Sequence, residues 1–269
     1  MDMSIQPHNQ RPAAVWSSGG LAYDEISRQI ASALDHCVRR LDPKPGERIL
    51  DLATGTGWTS RLLAARGAQV TGVDIAAELI DAARMIGQSN GLTIRYELGD
   101  AEQLAFPDGS FDAVVSTFGV MFANRPEAAA GEIARVCRKA GRIALTTWRS
   151  DSHVFEMFKV MRTYMPSPPD PPPPSPFAWG RRERMKELFG SNFDLGFEEG
   201  EAIYYESSGE AVWRSFVTGY GPTKALAASL DDRRRAELER DFVAFHDTFA
   251  SPLGISMPRQ YLLTTGTRR

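Results

Sequence analysis

Small and acidic residues recur at the ends of four predicted β-strands. They are Asp51, Gly55 and Gly57 at the first strand, Asp74 at the second, Asp100 and Ala101 after the third, and Thr117 and Phe118 after the fourth. If these strands form a parallel sheet, their carboxyl ends meet at the edge where such sheets bind ligands. Glycine lets a ligand approach the backbone, and a carboxylate accepts hydrogen bonds from hydroxyl and amino groups. The spacing therefore predicts one ligand site across four strand ends.

The second and third strand ends carry groups suited to a nucleoside. Asp74 can accept hydrogen bonds from both hydroxyls of a ribose, and this role is compatible with capping the helix that begins near Ala76. Asp100 can accept a hydrogen bond from the exocyclic amine of an adenine, although a simple turn aspartate is the alternative. Together the two aspartates predict a nucleoside ligand.

The sequence of the turn after the first strand distinguishes between a dinucleotide and a cationic nucleoside as the ligand. A dinucleotide-binding turn follows the pattern G-x-G-x-x-G/A, and here the three positions are Gly55, Gly57 and Ser60. Serine weakens that interpretation, and Asp51 would put a carboxylate beside a pyrophosphate. Because a carboxylate suits a cationic group, the sequence favours a cationic nucleoside over a dinucleotide.

The elements that would position these residues alternate between strands and helices. Five strands are predicted at residues 48–53, 69–74, 93–98, 111–116 and 142–148. Helices are predicted at 21–41, from 59 onward, at 76–87 and at 126–139. Strands joined by helices form right-handed βαβ units, so the sequence predicts an α/β, Rossmann-like fold with a mostly parallel sheet and helices on both faces.

Four regions are expected along the chain. They are a flexible N-terminal arm at 1–20, a ligand-binding core at 21–148, a lid or substrate-binding region with strand six at 149–257, and a final core strand at 258–269. Within the third region, a helix at 183–189, a strand at 198–206 and two helices at 209–219 and 222–250 are predicted. Residues 166–176 contain eight prolines, which predicts a stiff surface segment, with a docking ligand as the alternative.

Composition limits the partners and the compartment. The 269 residues carry a net charge of −3, which gives no reason to expect nucleic acid. No secretory leader and no apolar run of roughly 20 residues is visible, so a cytoplasmic protein without a membrane span is expected. Cys37 and Cys137 fall on apolar helix positions and predict core packing. No cluster of His, Asp and Glu predicts a metal site.

The strand ends and their turns contain a series of short motifs in order along the chain. They are Ile-Leu-Asp-Leu-Ala-Thr-Gly-Thr-Gly at 49–57, Val-Asp-Ile at 73–75, Gly-Asp-Ala at 99–101, Phe-Pro-Asp-Gly-Ser-Phe-Asp at 106–112 and Gly-Arg-Ile at 141–143. Together these motifs resemble class I S-adenosylmethionine-dependent methyltransferases, in the branch that includes the ubiquinone/menaquinone C-methyltransferases (methyltransferase type 11). The resemblance covers roughly residues 20–148 and the final strand. Ala53 departs from the family, which usually has glycine there.

The resemblance implies strand order 3-2-1-4-5-7-6 with an antiparallel last strand, a helical lid insertion, and S-adenosylmethionine as cofactor, with S-adenosylhomocysteine as product. It implies that Asp51 meets the methionyl amino group through water, with Asp74 on the ribose. The remaining implied cofactor residues are Ala53, Thr54, Gly55 and Gly57 under the methionine and ribose, Ile75, Asp100 and Ala101 at the adenine, Thr117 and its neighbour Phe118 at the ammonium, and Trp16 and Tyr23 as a cover.

The acceptor is predicted less sharply. Methyl transfer needs a base only when the acceptor is protonated at neutral pH, and His153, just after strand five, is the candidate, with a surface histidine as the alternative. Tyr220 could line the substrate pocket or only end a helix. The region 149–257 is rich in Phe, Met, Trp and Tyr, which predicts either a lid over a hydrophobic pocket or a plain second core. A small hydrophobic or aromatic molecule, methylated at O, N or C, is the expected acceptor.

Two other functions remain open from the sequence. One is an NAD(P)-dependent oxidoreductase, and the other is a regulatory module that binds S-adenosylmethionine without transferring its methyl group. The oligomeric state is not predicted.

Overall fold

A twisted sheet forms the centre of the computed structural model, which describes residues 5–170 and 172–269. Residues 1–4 of the predicted arm and Pro171 of the proline-rich segment lie outside the described residues. The strands are β1 Arg48–Leu52, β2 Gln69–Asp74, β3 Arg95–Leu98, β4 Phe111–Thr117, β5 Cys137–Trp148, β6 Phe193–Glu206, β7 Ala250–Ser251 and β8 Gly254–Arg268.

The sheet has the order β3-β2-β1-β4-β5-β8-β6, and the two-residue β7 pairs with β8. The first five strands are parallel, whereas β8 runs antiparallel to both β5 and β6. The predicted fold class is confirmed. The predicted order also holds, because β8 occupies the place expected for the seventh strand and only the short β7 is additional.

The central position of β1 explains where the ligand site lies. Asp51 of β1 pairs with Gly72 on one side and with Val115 on the other. Ile49 and Leu50 are fully buried because helices cover both faces of the sheet, as parallel strands require. This register aligns the carboxyl ends of β1, β2 and β4 at one edge.

Eleven helices surround the sheet. They are α1 Gln10–Ser17, α2 Tyr23–Arg28, α3 Ala31–Leu41, α4 Trp58–Ala64, α5 Ala77–Ser89, α6 Pro126–Val136, α7 His153–Arg162, α8 Arg182–Phe189, α9 Gly209–Gly219, α10 Gly221–Ser229 and α11 Asp232–Asp247, counted within the described residues. Short 3₁₀ turns occur at Pro7–Asn9, Gly20–Ala22, Val120–Phe122 and Pro176–Gly180.

The N-terminal segment differs from the flexible arm that the sequence predicted. Residues 10–17 form α1, which packs against α5 and α10. The single helix predicted at 21–41 is divided into α2 and α3, since Ile30 leaves the helical region with φ −119° and ψ 14°. The break lets α2 pack against α9 while α3 packs against β5.

Two other predicted helices also end differently. The helix expected through Lys139 stops at Val136, and Cys137 instead pairs with Phe111 and begins β5. The helix expected at 222–250 is divided at Leu230, and the side chain of Asp231 accepts a hydrogen bond from the backbone N–H of Arg234 to begin α11. Such breaks depend on tertiary contacts and capping that helical periodicity does not reveal.

Both cysteines are buried and free, as predicted for core packing. The main hydrophobic core is continuous and extends from the sheet to the aromatic side chains of Tyr204, Trp213, Phe216 and Phe242. Among residues 5–170 and 172–269, no helix is both long and apolar enough to cross a membrane.

Candidate cofactor site

A cavity opens at the carboxyl ends of β1, β2 and β4, where the sequence predicted a ligand site. Most of the predicted cofactor residues line it: Trp16, Tyr23, Ala53, Thr54, Gly55, Asp74, Ile75, Asp100, Ala101, Thr117 and Phe118. Asp51 and Gly57 are buried outside this lining. The four strand ends therefore meet at one site, but Asp51 and Gly57 are buried behind the residues that line it.

The turn after β1 presents backbone to the cavity. Ala53 and Gly55 both have left-handed backbone, with φ of +55° and +57°. This conformation disfavours residues with a Cβ, which accounts for the glycine usual at the position of Ala53. Thr54 anchors the turn by donating its backbone N–H to the carbonyl of Val73 at 3.0 Å.

Asp74 connects this turn to the end of β2. One carboxylate oxygen, Oδ2, accepts the N–H of Gly55 at 2.8 Å, and Oδ1 accepts the N–H of Ala76 at 2.9 Å. Burial raises the pKa of Asp74, whereas these backbone donors oppose the rise. Each oxygen keeps a second lone pair, so the carboxylate can still accept hydrogen bonds from two ligand hydroxyls.

Asp51 is enclosed behind the turn. Its Oδ2 accepts the hydroxyls of Thr54 at 2.6 Å and Ser60 at 2.7 Å, whereas the buried Oδ1 has no partner within the described residues. Burial raises the pKa of this carboxyl from 3.8 to about 6. Asp51 therefore lies one layer behind the cavity, which fits contact with a ligand ammonium through water or through Thr54.

Gly57, predicted to contact the cofactor, makes room in the structure for the side chain of Tyr96. Its φ is +82°, and a Cβ there would lie 2.3 Å from the hydroxyl oxygen of Tyr96. The residue begins α4 as its N-cap and lets the ring of Tyr96 pack against the turn. The expected backbone contact between Gly57 and the cofactor stays a prediction.

Asp100 is already engaged by the N-terminal segment. Its Oδ2 accepts the backbone N–H of Gln6 at 3.0 Å and the side-chain amide of Asn9 at 2.9 Å, and Oδ1 accepts the N–H of Glu102 at 3.0 Å. Asn9 also accepts a hydrogen bond from the side-chain amide of Asn124 at 2.7 Å. Asp100 therefore fastens residues 6–9 over one end of the cavity and keeps one lone pair, on Oδ1, for a ligand amine.

Thr117 and Phe118 shape the end of β4. The Thr117 hydroxyl is 2.8 Å from the hydroxyl of Thr59, and Phe118 has a φ of +61°. The Phe118 ring stacks on Trp148 with 3.7 Å between centroids. This left-handed turn directs the chain into Gly119, where a Cβ would lie 2.5 Å from the Cβ of Ala53.

Aromatic rings cover the cavity opposite the turn. Trp16 lies 5.1 Å from Phe122 and 5.5 Å from Tyr220, measured between ring centroids. Tyr23 stacks with Tyr220 at 6.3 Å and also faces Gly55, where a Cβ would lie 3.3 Å from its ring. Burial raises the pKa of Tyr23 far above its ordinary value, so its hydroxyl is neutral at physiological pH.

Several residues that line the cavity were not predicted from the sequence: Asn9, Ser27, Trp58, Thr59, Glu102 and Phe122. The only available signal was for Phe122, which follows Phe118 by four residues. The indole N–H of Trp58 donates to the carbonyl of Asp24 at 3.2 Å, a contact 34 residues apart in the chain. Such contacts arise from the docking of α1 and α2 and leave no local pattern.

His153 and Tyr220 do not line the cavity. The His153 Nδ1 is 2.9 Å from the carbonyl oxygen of Pro258, and its ring packs on Phe249. His153 is therefore outside the cavity lining, and its role as base stays a prediction that this position does not support. Tyr220 lies directly behind Trp16 and Tyr23 and so forms the second layer of the aromatic wall.

The site fits a cationic nucleoside. Asp74 offers free lone pairs for ribose hydroxyls, Asp100 lies at the expected adenine end, and the unpartnered Oδ1 of Asp51 lies behind the turn at the other end. The left-handed backbone of Ala53 and Gly55 leaves the space between these carboxylates open.

Comparison with known proteins agrees with this geometry. The family model described as "Methyltransferase domain" matches residues 50–145. An uncharacterized protein of Mycobacterium tuberculosis is 33% identical over 263 residues, which cover 95% of this chain and 93% of that protein. A demethylmenaquinone methyltransferase of Thermus thermophilus is 40% identical over 131 residues, or 46% of this chain and 59% of that protein.

Solved structures share the fold. The YcgJ protein of Bacillus subtilis superposes with a TM-score of 0.62 at 20% identity, covering 88% of this chain and 98% of that chain. A phosphoethanolamine N-methyltransferase of Haemonchus contortus, solved with phosphomonomethylethanolamine and S-adenosylhomocysteine, has a TM-score of 0.56 at 17% identity and covers 88% of this chain and 52% of that chain. With the matched methyltransferase domain, the shared fold and the cavity in agreement, the chain belongs to the class I S-adenosylmethionine-dependent methyltransferases.

Proposed function

We propose that this methyltransferase transfers a methyl group to a small hydrophobic or aromatic molecule at an O, N or C atom. The observation that carries the proposal is the aromatic wall of the cavity. Trp16, Tyr23 and Phe122 line the cavity, and Tyr220 and Phe158 pack behind them. Flat apolar walls of this kind favour a flat apolar ligand over a small polar one.

The region 149–257 supplies part of this wall and is proposed as the substrate-binding region. Phe158 of α7 lies 6.2 Å from Phe122, and Tyr220 lies between α9 and α10. Burial raises the pKa of Tyr220 well above its ordinary value, so the ring presents a neutral surface. The wall thus combines residues from the core and from the proposed lid.

Different residues of the site would bind the nucleoside end and the amino acid end of the cofactor. S-adenosylmethionine, when bound, supplies a methyl group activated by the sulfonium charge. Asp74 accepts ribose hydroxyls, the Ala53 to Gly55 backbone gives close approach, and Asp51 attracts the ammonium. Holding acceptor and methyl group in line then provides most of the rate, since well-oriented reactants avoid the entropic cost of meeting.

The carboxylates at the cavity also accept hydrogen bonds from the protein itself. Asp74 and Asp100 are held by backbone and side-chain donors, and Glu102 accepts the N–H of Arg125 at 2.8 Å and contacts His8 at 2.7 Å. Among the described lining residues there is no histidine. A dedicated base is therefore not part of this proposal.

A turnover assay with methyl-labelled S-adenosylmethionine tests the proposal. The acceptor panel pairs aromatic phenols, amines and quinols with small polar amines such as ethanolamine and glycine. We expect labelled product from aromatic members only, with Asp74→Asn as a control that lowers turnover for every acceptor.

Two outcomes would contradict the proposal. Labelled product from only the polar acceptors would overturn the aromatic class while leaving methyl transfer intact. Tight binding of S-adenosylhomocysteine without any turnover across the panel would favour the non-catalytic regulatory module.

A further inference from the structure

A buried arginine without a counter-charge lies beside the aromatic wall. Arg259 of β8 is 4% exposed and pairs across the sheet with Ala202 of β6. It lies two residues before Tyr261, which pairs with Trp148 at the end of β5. Arg259 is therefore just beyond the edge of the sheet at which the cofactor cavity opens.

The guanidinium of Arg259 makes no hydrogen bond or ion pair with any described residue, and its Nε and Nη2 are enclosed without a partner. Burial lowers its pKa only to about 10, so it remains positively charged at neutral pH. Removing an unpaired charge from water is costly, and aromatic contacts return only part of that cost. The guanidinium carbon lies 3.9 Å from the ring centroid of Tyr204, and Phe216 is a second, more distant aromatic contact.

Neighbouring polar groups do not neutralise Arg259. His246 is fully buried, with Nδ1 at 2.8 Å from the carbonyl of Phe242, and burial lowers its pKa to about 4, so the ring is neutral. The carboxylates of Asp247 and Glu206, which accept the N–H groups of Gly209 at 3.2 Å and Ser207 at 2.8 Å, form no ion pair with Arg259 within the described chain. The positive charge is therefore left for a group that is not part of the described chain.

The surroundings of Arg259 connect it to the cofactor cavity. Its guanidinium carbon is 5.9 Å from the ring centre of Phe216, which lies 5.3 Å from Tyr220. Tyr220 in turn stacks with Tyr23, a lining residue. Tyr261, on the same face of β8 as Arg259, places its ring 5.7 Å from Phe118, another lining residue. Arg259, Phe216 and Tyr220 lie outside the lining of the cavity, so an acceptor that reaches the guanidinium has to displace the ring of Tyr220.

We propose that Arg259 binds the carboxylate of the methyl acceptor, so that the substrate class is aromatic carboxylic acids. The unpartnered Nε and Nη2 are adjacent on one side of the guanidinium, and their parallel N–H groups match the two oxygens of a carboxylate. One guanidinium without other cations balances a monoanion. This inference rests on the proposed function and narrows its acceptor.

Calorimetry on the full chain saturated with S-adenosylhomocysteine tests this. The probes are benzoate, 4-hydroxybenzoate, salicylate and indole-3-acetate, each compared with its primary amide, together with sodium chloride and inorganic phosphate. In the wild type, we expect at least one carboxylate to bind tenfold or more tightly than its amide. Arg259→Met should abolish that preference and leave the affinity for S-adenosylhomocysteine unchanged, whereas Arg259→Lys should retain part of the preference.

A matched control is Arg268→Met, because Arg268 also stacks on an aromatic ring, Phe193, but has hydrogen-bond partners in Asn192. It should leave the preference for carboxylate intact. If Arg259→Met does not fold, the wild-type comparison of acid with amide and the lysine variant still decide.

Three results would overturn the inference: equal binding of acid and amide in every pair, a preference that survives in Arg259→Met, or binding of chloride or phosphate only. Failure of S-adenosylhomocysteine itself to bind is separable, because it would remove the cofactor assignment before any acceptor is added.

Discussion

The backbone N–H of Gly55 donates to Oδ2 of Asp74 over 2.8 Å and so joins the turn after β1 to the end of β2. The same carboxylate also accepts the N–H of Ala76, the residue directly before α5, at 2.9 Å. Asp74 thus fixes the turn that faces the ligand and keeps two lone pairs free for it. Asp74 therefore organises the site, and the proposed binding of the ribose would be a second role for the same residue.

Asp74→Asn is therefore expected to weaken binding of S-adenosylhomocysteine. The amide keeps the size of the side chain but replaces one acceptor oxygen with a donor, at a cost of about 1–3 kcal/mol. Calorimetry gives the difference in affinity. The control is Asp81→Asn on α5, whose exposed carboxylate pairs only with Arg84. An unchanged affinity in Asp74→Asn would contradict the ribose role.

Binding of S-adenosylmethionine should depend on pH through Asp51. Because burial raises the pKa of Asp51 to about 6, the carboxyl is mostly neutral at pH 5 and mostly ionised at pH 7. Only the ionised form attracts the ligand ammonium, so affinity should rise on the order of tenfold from pH 5 to pH 7. Asp51→Asn should bind weakly and show a flat profile, and a wild-type profile equally flat would rule out this role.

Gly57→Ala is expected to destabilise the fold. The new Cβ would meet the hydroxyl of Tyr96 at 2.3 Å in a left-handed backbone, and such strain costs about 1–3 kcal/mol. The free energy of unfolding in urea measures the loss. Gly131→Ala in α6 is the matched control, since a Cβ added there would meet no described atom within 4 Å beyond its own stretch of helix, and it should be neutral or mildly stabilising. Equal stability of the two variants would contradict this prediction and would show that the side chain of Tyr96 moves away from the new Cβ at no cost.

The N-terminal segment should close over bound cofactor through Asn9. Asn9→Ala removes the amide that donates to Asp100 at 2.9 Å, which weakens a buried contact by about 1–2 kcal/mol. Hydrogen exchange should then be faster in residues 6–17, and affinity for S-adenosylhomocysteine should fall. Asn90→Ala, an exposed change at the end of α5, is the control. Unaltered exchange in Asn9→Ala would mean that α1 is held by other contacts.

His153→Gln is expected to leave turnover unchanged with whichever acceptor the labelled assay identifies. The imidazole is held at the carbonyl of Pro258, 2.9 Å from Nδ1, and is outside the cavity lining. A loss of turnover beyond about tenfold, with cofactor affinity preserved, would restore His153 as a candidate base.

Strand ends were predictable because the chemistry lies in local sequence. Asp51, Asp74 and Asp100 each follow an apolar run, so sheet topology alone brings them to one edge. Helix positions inside the core were also visible in apolar periodicity. The sequence could not reveal that Gly57 accommodates Tyr96, because the two residues are 39 positions apart and meet only after β3 pairs with β2.

Residues that lie over or behind the cavity were less predictable, because their partners are also distant in the sequence. Asn9 lies in a polar segment without periodicity, and its partner Asp100 is 91 residues away. Arg259 reads in sequence as an ordinary polar residue of a strand, and only the packing of Tyr204 and Phe216 around it reveals a buried charge. Residues that bind through distant partners carry no local signature.

A calorimetric titration of the wild-type chain with S-adenosylhomocysteine, run beside NAD⁺ and NADP⁺, tests the cofactor site most directly. One ligand bound per chain, with no heat from either nicotinamide nucleotide and with affinity reduced in Asp74→Asn, is the predicted result. Tight binding of a nicotinamide nucleotide without any affinity for S-adenosylhomocysteine would contradict the assignment of the cavity.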